Sequence, residues 1–253
     1  MDFQLHNNTI LVTGASSGIG QATADVLRQC GATVIVTARD QEALEKVAEG
    51  MGESVHAIAS DVRDLASLDT LYARIKEEFG TLDGVVANAG VGNYQPMKEF
   101  SEAEYDQVVD TNMKGVYFTI QKALPLLAEG SSVVLTASVD GMSGHMESSV
   151  YGMTKAALIL LTKNVAREQA GRGIRVNSVS PGPIKTAFFE KIDKPDDVMR
   201  QMSESLQDIV MLSRMGEPKE VANVISFLLS PLSSYMTAEN VTVDGGMSHY
   251  MPM

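Results

Sequence analysis

The chain has 253 residues, 44% of them hydrophobic, and its 32 acidic and 20 basic residues give a formal charge of −12 at pH 7. This size predicts one α/β domain over residues 1–253 with a substantial core, and the acidic balance disfavours nucleic acid and anionic membranes as partners. The first eight residues lack a secretory pattern, and the apolar runs are too short to cross a bilayer. The only cysteine, Cys30, excludes an internal disulfide and fits a reducing compartment. We therefore expect a cytoplasmic protein.

Short β-branched segments alternate with longer stretches of helical periodicity, which is typical of a parallel sheet. The fold class predicted is α/β, with a doubly wound seven-stranded parallel sheet flanked by helices. The strands are expected at residues 9–13, 33–38, 55–59, 84–88, 132–138, 174–180 and 240–243.

Three helical segments stand out between the strands. An apolar stripe at every third or fourth position of residues 65–79 predicts a helix packed on the sheet. Residues 104–128 and 149–171 are apolar over more of their circumference, which indicates helices buried on a second side, and a subunit interface is one explanation. Pro125 marks either the end of the first of these or a kink.

A glycine-rich turn, Thr-Gly-Ala-Ser-Ser-Gly-Ile-Gly at residues 13–20, follows the first strand and precedes a helix. Glycine lets the backbone approach a pyrophosphate, and the helix N-terminus supplies amide donors. The spacing is G-x-x-x-G-x-G and not the common G-x-G-x-x-G, and a plain strand-to-helix connection is the alternative. In the first βα unit of a parallel sheet it predicts a dinucleotide site. The residues expected to hold the dinucleotide here are Gly14, Ser16, Ser17, Gly18, Ile19 and Gly20.

The end of the second strand indicates which dinucleotide is bound. An NAD enzyme places Asp or Glu there to bind the ribose hydroxyls, but this chain has Ala38 followed by Arg39. Arg39 can offer a charge-assisted fork to a 2′-phosphate, so we expect NADP(H) to be preferred over NAD(H). The alternatives are that Arg39 is a solvated residue beginning the next helix and that Asp40 is the N-cap of that helix.

Tyr151 and Lys155 lie four residues apart, on one face of a predicted helix. An ammonium beside a phenol favours the phenolate, so the pair can donate and accept a proton nearer neutrality. Tyr-x-x-x-Lys alone is more often a surface pair. Ser138, thirteen residues upstream at the end of an apolar run, makes a catalytic set the better interpretation. The four histidines lack metal-ligand spacing, and no metal is expected.

These motifs resemble the short-chain dehydrogenase/reductase family of the compact single-domain type, over essentially the whole chain. The resemblance also rests on Asn112, Asn177 and the groups Asp61-Val62, Asn88-Ala89-Gly90 and Pro181-Gly182. It implies that Asp61 and Val62 lie against the adenine and that Asn88 supports the cofactor edge of the sheet. It also implies that Ile184 and Thr186 touch the nicotinamide carboxamide, and that the protein is a homotetramer. The further cofactor contacts implied are Ala89, Gly90, Tyr151, Lys155, Pro181 and Gly182.

The activity implied by the resemblance is hydride transfer between the nicotinamide and a carbonyl or secondary alcohol. Ser138 would orient the substrate oxygen while Tyr151 exchanges a proton with it. Lys155 would lower the phenol pKa and bond the nicotinamide ribose, and Asn112 would hold a water linking Lys155 to solvent. Singly, Ser138 could satisfy a strand end and Asn112 could bond backbone. Thr154 stands where the family usually has serine.

The loops that carry substrate contacts in this family are largely apolar here, which predicts a hydrophobic or aromatic ketone, aldehyde or quinone. Residues 187–214 are expected to form a helical lid, and lid packing is the alternative use of its apolar residues. The apolar tail at residues 249–253 is expected to pack on a neighbouring subunit. The residues that the substrate-contact loops supply are Val91, Asn93, Tyr94, Met142, His145, Met146, Phe188, Phe189 and Ile192.

Two other functions remain open. A 3-oxoacyl-(acyl-carrier-protein) reductase would share the fold and motifs, but its acidic partner needs a basic docking patch. One plausible docking edge carries Glu129, although Arg167, Arg172 and Arg175 follow further on. A non-catalytic NADP-binding regulator is the third possibility, and the intact Ser138, Tyr151 and Lys155 argue against it.

Overall fold

The structure, a computed structural model, describes residues 3–186 and 209–249. Its centre is a seven-stranded parallel sheet with strand order β3-β2-β1-β4-β5-β6-β7, which confirms the predicted fold. The order reverses between β1 and β4, and ligands of such sheets bind beyond the carboxyl ends of the strands at that point. The strands are β1 (Thr9–Thr13), β2 (Thr33–Thr37), β3 (Val55–Ala57), β4 (Leu82–Ala87), β5 (Leu127–Thr136), β6 (Arg175–Pro181) and β7 (Asn240–Val243).

Helices cover both faces of the sheet, because alternate strand residues point to opposite sides. On β2, for example, Val34 and Val36 belong to one apolar core and Ile35 belongs to the other. The first core includes residues of α1, α2 and α7, and the second includes residues of α3, α5 and α6. The helices are α1 (Gly18–Gln29), α2 (Gln41–Met51), α3 (Leu65–Glu78), α4 (Glu102–Val109), α5 (Val116–Ala123), α6 (Ser149–Gln169) and α7 (Pro218–Leu229).

The helix predicted at residues 104–128 has different bounds and an interruption. A capping box between Ser101 and Glu104 starts it at Glu102, and a π-helical segment, Asp110–Gly115, separates α4 from α5. The helix ends at Ala123, because the proline at 125 has no N–H to continue the ladder. The prediction was therefore wrong for the last residues of this helix, which belong to β5. There Leu127 pairs with Leu82 of β4.

Two arginines near the start of β6 tie loops and helix ends to the sheet. The half-buried Arg175 donates to the carbonyl oxygens of Leu228 at 2.8 Å and Ser230 at 3.1 Å, closing the C-terminal end of α7. Arg172 donates to the carbonyl oxygen of Leu124 at 2.9 Å, just after α5. Both guanidinium groups are therefore used inside the chain.

Candidate active site

The glycine-rich turn has the close approach that its sequence predicts. Gly14 has φ +65°, and a Cβ there would lie 2.8 Å from the Cα of Ala89. A Cβ on Gly20 would lie 2.4 Å from the carbonyl oxygen of Gly14. Among the described residues, neither the side chain of Ser17 nor a first-turn acidic residue caps the start of α1. The helix N-terminus therefore offers amide donors that Ser17 does not occupy and a positive dipole end, which fit a pyrophosphate.

Polar side chains join the carboxyl ends of three central strands. The Thr13 hydroxyl accepts from the backbone N–H groups of Asn88 and Ala89, both at 3.0 Å. The Asn88 side-chain amide donates to the carbonyl oxygen of Thr13 at 3.0 Å and accepts from the Thr136 hydroxyl at 3.2 Å. Asn88 therefore fixes the edge of the sheet beside the glycine turn. Sequence reasoning missed Thr13 and Thr136, whose only signal is a threonine at the end of neighbouring parallel strands.

The groups expected around the adenine lie close together at the end of β2. Arg39 is exposed, and Asp40 caps α2 by accepting from the backbone N–H of Ala43 at 3.0 Å. The carboxylate of Asp61 accepts from Arg63 Nη2 at 2.6 Å. Arg63, through this hydrogen bond, and Arg39, through its charge, hold the pKa of Asp61 below its usual value. Arg63 was not identified from the sequence.

The segment after β6 folds back over the glycine turn. Pro181 ends β6, and the Gly182 N–H donates to the carbonyl oxygen of Val243 at 3.0 Å. Ile184 is buried and pairs with Gly216. A Cβ on Gly18 would lie 3.2 Å from the Thr186 methyl group, so this segment closes one wall beside α1. The predicted lid residues 187–208, including Phe188, Phe189 and Ile192, lie outside the described residues.

Ser138, Tyr151 and Lys155 come together in a buried cluster. Ser138 caps a 3-10 turn, Val139–Gly141, and hydrogen-bonds to the Tyr151 hydroxyl. The turn packs directly on α6, because a Cβ on Gly141 would lie 2.6 Å from the Ala156 backbone nitrogen and one on Gly152 would lie 2.8 Å from the Asp140 carbonyl oxygen. These two glycines therefore set the distance between the serine and the tyrosine.

The electrostatics of this cluster differ from the expectation. Burial raises the pKa of Tyr151 above its ordinary value and Asp140 raises it further, whereas hydrogen bonds from Ser138 and Tyr94 oppose the rise. Burial also lowers the pKa of Lys155 to about 8, against the effect of Asp140. The Lys155 ammonium lies 5.6 Å from the Tyr151 ring centroid and donates to the Thr136 carbonyl oxygen at 2.7 Å. The expected lowering of the phenol pKa by Lys155 is not among these effects, and burial of the phenol dominates instead.

Asn112 is fully buried in the π-helical segment, a distortion that is frequent at functional sites. Its side chain accepts from the Val91 N–H at 2.8 Å and donates to the Val91 carbonyl oxygen at 2.9 Å. It also donates to the Thr154 hydroxyl at 3.2 Å, which in turn donates to the Tyr151 carbonyl oxygen at 2.7 Å. The side chain thus bonds backbone, the alternative left open above, and Thr154 uses the hydroxyl that serine would supply.

The substrate-side loops divide into inner and outer residues. The Tyr94 ring centroid lies 5.3 Å from that of Tyr151. Met142 has its sulfur 3.3 Å from the Asn240 side-chain amide, and Met146 is 91% exposed. Tyr94 therefore lies at the cluster, whereas Met146 faces away from the described chain. Asp140, whose side chain is 11% exposed, was missed as a member of the site.

Within residues 3–186 and 209–249 no three His, Cys, Asp or Glu side chains converge as metal ligands, and no described helix is long and apolar enough to span a membrane.

Comparison with known proteins identifies the family. A family model described as Enoyl-(Acyl carrier protein) reductase matches residues 14–248. Oxidoreductase asL5 of Sarocladium schorii is 40% identical over 251 residues, covering 97% of each chain. The crystal structure of short-chain dehydrogenase/reductase SDR:Glucose/ribitol dehydrogenase from Brucella melitensis has a TM-score of 0.92 and 34% identity over 100% of both chains. The structure of 3-ketoacyl-(acyl-carrier-protein) reductase from Brucella melitensis complexed with NADH has a TM-score of 0.89 and 29% identity, covering 96% of this chain and 99% of that one. The chain therefore belongs to the short-chain dehydrogenase/reductase family of oxidoreductases, which act on CH–OH or C=O groups with a nicotinamide cofactor.

Proposed function

We propose that the protein is an NADP(H)-dependent oxidoreductase that transfers a hydride between the nicotinamide and a carbonyl or secondary alcohol, with Tyr151 as general acid and base. The observation that carries this proposal is the burial of Ser138, Tyr151 and Lys155 together at the carboxyl edge of the sheet, beside the open N-terminus of α1. Burying a phenol and an amine is costly, and active sites are where such perturbed groups concentrate.

The chain's own residues would divide the work as follows. Ser138 orients the substrate oxygen through its hydroxyl, and Tyr151 gives that oxygen a proton in reduction or takes one in oxidation. Lys155 bonds the nicotinamide ribose, and Asn112 holds the loop after β4 through Val91. The bound dinucleotide supplies or accepts the hydride. The residues proposed to hold the dinucleotide, besides Tyr151 and Lys155, are Gly14, Ser16, Ser17, Gly18, Ile19, Gly20, Arg39, Asp61, Val62, Asn88, Ala89, Gly90, Pro181, Gly182, Ile184 and Thr186.

The preference for NADP(H) is proposed from the charges at the end of β2. Arg39 is exposed next to Ala38, and the nearby carboxylate of Asp40 is occupied as an N-cap. A 2′-phosphate there would meet a guanidinium and no competing carboxylate from residue 38. The related 3-ketoacyl reductase was solved with NADH, so both dinucleotides belong in the test.

We propose an apolar or aromatic ketone, aldehyde or quinone as substrate, because the loops facing Tyr151 supply Val91 and Tyr94. We also propose a single domain with a helical lid, cytoplasmic residence and a homotetramer. In support of assembly, helices α5 and α6 leave apolar side chains exposed. Tyr117, Met153 and Leu160 are 48%, 46% and 60% exposed.

A 3-oxoacyl-(acyl-carrier-protein) reductase is the second candidate, favoured by the similarity to the Brucella melitensis 3-ketoacyl reductase. The docking patch argues against it. Arg172 and Arg175 bond carbonyl oxygens within the chain, whereas Glu129 is exposed at the proposed docking edge. An acidic carrier would meet like charge there.

The test is steady-state oxidation of NADPH and of NADH across aromatic ketones, diketones, quinones, sugars and a 3-oxoacyl thioester, with Tyr151→Phe as the control. NADPH-selective turnover of apolar carbonyls, lost in Tyr151→Phe with cofactor binding retained, is expected. NADH preference would refute the role of Arg39, and activity on the thioester alone would favour the second candidate. Unchanged biological activity in Tyr151→Phe would favour the regulator.

A further inference from the structure

A second phenol and a carboxylate lie against the catalytic tyrosine on its substrate side. The Tyr94 ring centroid lies 5.3 Å from that of Tyr151, and the Tyr94 hydroxyl interacts with both the Tyr151 hydroxyl and the Asp140 carboxylate. Tyr94 comes from the loop after β4, whereas Asp140 lies in the turn after β5. Tyr94 therefore lies between the Tyr151 hydroxyl and the Asp140 carboxylate, and the three side chains come from three different elements.

Asp140 is held in place independently of Tyr94. Its Oδ2 atom accepts from the Ser148 hydroxyl at 2.6 Å, and its Oδ1 atom lies 3.8 Å from His145 Nε2. The loop carrying Tyr94 is tied to the same region, because the Gln95 N–H donates to the Glu147 carbonyl oxygen at 3.0 Å. The Tyr94 hydroxyl is thus positioned from both sides.

Tyr94 has one phenolic proton, and among the described residues two groups, Tyr151 and Asp140, can accept it. Burial, the nearby Tyr151 and Asp140 all raise the pKa of Tyr94, so that it keeps this proton. While Tyr151 is a neutral phenol, the better acceptor for Tyr94 is the Asp140 carboxylate, since hydrogen bonds to charged acceptors are the stronger ones. Once Tyr151 has given its proton to the substrate oxygen, it too is an anionic acceptor.

We propose that Tyr94 is a further catalytic residue whose hydroxyl donates to Asp140 when Tyr151 is protonated and to Tyr151 when it is a phenolate, with Asp140 as the positioning residue. No proton leaves Tyr94; only the acceptor of its hydrogen bond changes. The Tyr94 hydroxyl stabilises the Tyr151 phenolate, and the Asp140 charge destabilises it. This inference rests on the proposed role of Tyr151.

Isosteric substitutions should shift the ionisation of Tyr151 in opposite directions. Asp140→Asn removes a like charge and should lower the apparent pKa of the basic group by about one unit. Tyr94→Phe removes a donor to the phenolate and should raise that pKa by about one unit. The other groups facing this cluster, Lys155 on α6 and His145 beside Asp140, are unchanged in both variants.

Two measurements separate this inference from the proposed function. The first is the pH profile of kcat/KM for NADP⁺-dependent alcohol oxidation. The second is tyrosinate absorbance of the NADP⁺-saturated protein, as the difference from a Tyr151→Phe background, which does not need turnover. Matched controls are Asp69→Asn, which removes an exposed charge on α3, and Tyr105→Phe, which removes a partly exposed phenol on α4. Neither should shift either curve.

Opposite shifts of the two variants in both measurements would support the proposal. Shifts in the same direction, or curves that coincide with wild type, would overturn it. Should Asp140→Asn fail to fold, Tyr94→Phe alone tests the proposal. This variant keeps the aromatic ring, and residue 94 lies in a loop outside the strands and helices, so we expect it to fold. If Tyr151→Phe retains turnover, the proposed function fails, and the absorbance titration still reports on the phenol.

Discussion

The packing of the Ser138 turn on α6 can be tested with one methyl group. In Gly141→Ala the new Cβ would lie 2.6 Å from the Ala156 nitrogen and the Lys155 carbonyl carbon, both backbone atoms. Ordinary contact begins near 3.4 Å, so the turn must move away from the helix by about 0.8 Å. Because Ser138 begins this turn, its hydroxyl moves with it.

The expected result is a large kinetic effect beside a modest loss of stability. Overpacking of this kind costs about 1–3 kcal/mol, whereas a displacement near 1 Å at reacting groups costs about 100-fold in rate. Gly144→Ala is the matched control, since nothing lies within 4 Å of a Cβ there. The assay is kcat/KM for carbonyl reduction, with thermal unfolding and dinucleotide binding measured alongside.

Dinucleotide affinity should be unchanged, because the turn lies on the substrate side of the site. Activity of Gly141→Ala within about twofold of wild type would refute the reasoning, since a 100-fold loss is the expectation. An equal loss of kcat/KM in Gly144→Ala would show that the loop in general is sensitive, and not the contact between Gly141 and α6.

Three further outcomes follow from buried or paired charges. Lys155→Met should abolish turnover yet unfold at a higher temperature at pH 7. The reason is that the lowering of the Lys155 pKa from 10.5 to about 8 corresponds to about 3 kcal/mol of destabilisation. The stability of the wild-type protein should therefore rise between about pH 8 and 10.5, and Lys155→Met should lack this rise. Arg175→Met should lose at least about 3 kcal/mol of unfolding free energy, since several carbonyl oxygens lose their donor, whereas the exposed Arg167→Met should not. Arg214 and the Glu217 N–H lower the pKa of Glu220 from 4.5 to about 2, so unfolding temperature should fall as pH drops through this window, and less steeply in Glu220→Gln.

The sequence predicted the sheet well because β-branched runs between turn residues carry a strong local signal. The ends of the helices were harder to predict from the sequence. Pro125 indicated that the helix before β5 ends or bends, but the start of β5 at Leu127 depends on pairing with Leu82, which is distant in sequence. Within the π-helical segment, Asn112 likewise contacts Val91, which lies 21 residues away in sequence, and local composition does not reveal that contact.

The candidate site shows the same division between local and distant signals. Glycine spacing and the Tyr-x-x-x-Lys pair are visible in the sequence, and the structure brings Ser138 to Tyr151. The contacts that were missed, such as those of Thr13, Tyr94 and Asp140, join strand ends or loops, although Tyr94 itself was expected on the substrate side. Their side-chain partners are 75, 57 and 11 residues away in sequence, counting Thr13 to Asn88, Tyr94 to Tyr151 and Asp140 to Tyr151. Spacing along the chain cannot report such contacts.

The two charged groups nearest Tyr151, which are Lys155 and Asp140, bear on the direction in which the proposed reaction is favoured. Lys155 is buried and its ammonium bonds a strand-end carbonyl oxygen, while Asp140 raises the pKa of both Lys155 and Tyr151. Burial and, after it, the Asp140 carboxylate keep the phenol protonated, which is the state that donates a proton to a carbonyl oxygen, and the same carboxylate favours the charged amine against its burial. In the oxidation direction the phenolate is required, and there the same carboxylate opposes the reaction. With Tyr151 in its proposed role, the charges of the chain favour carbonyl reduction near neutral pH, and alcohol oxidation should need a more alkaline medium.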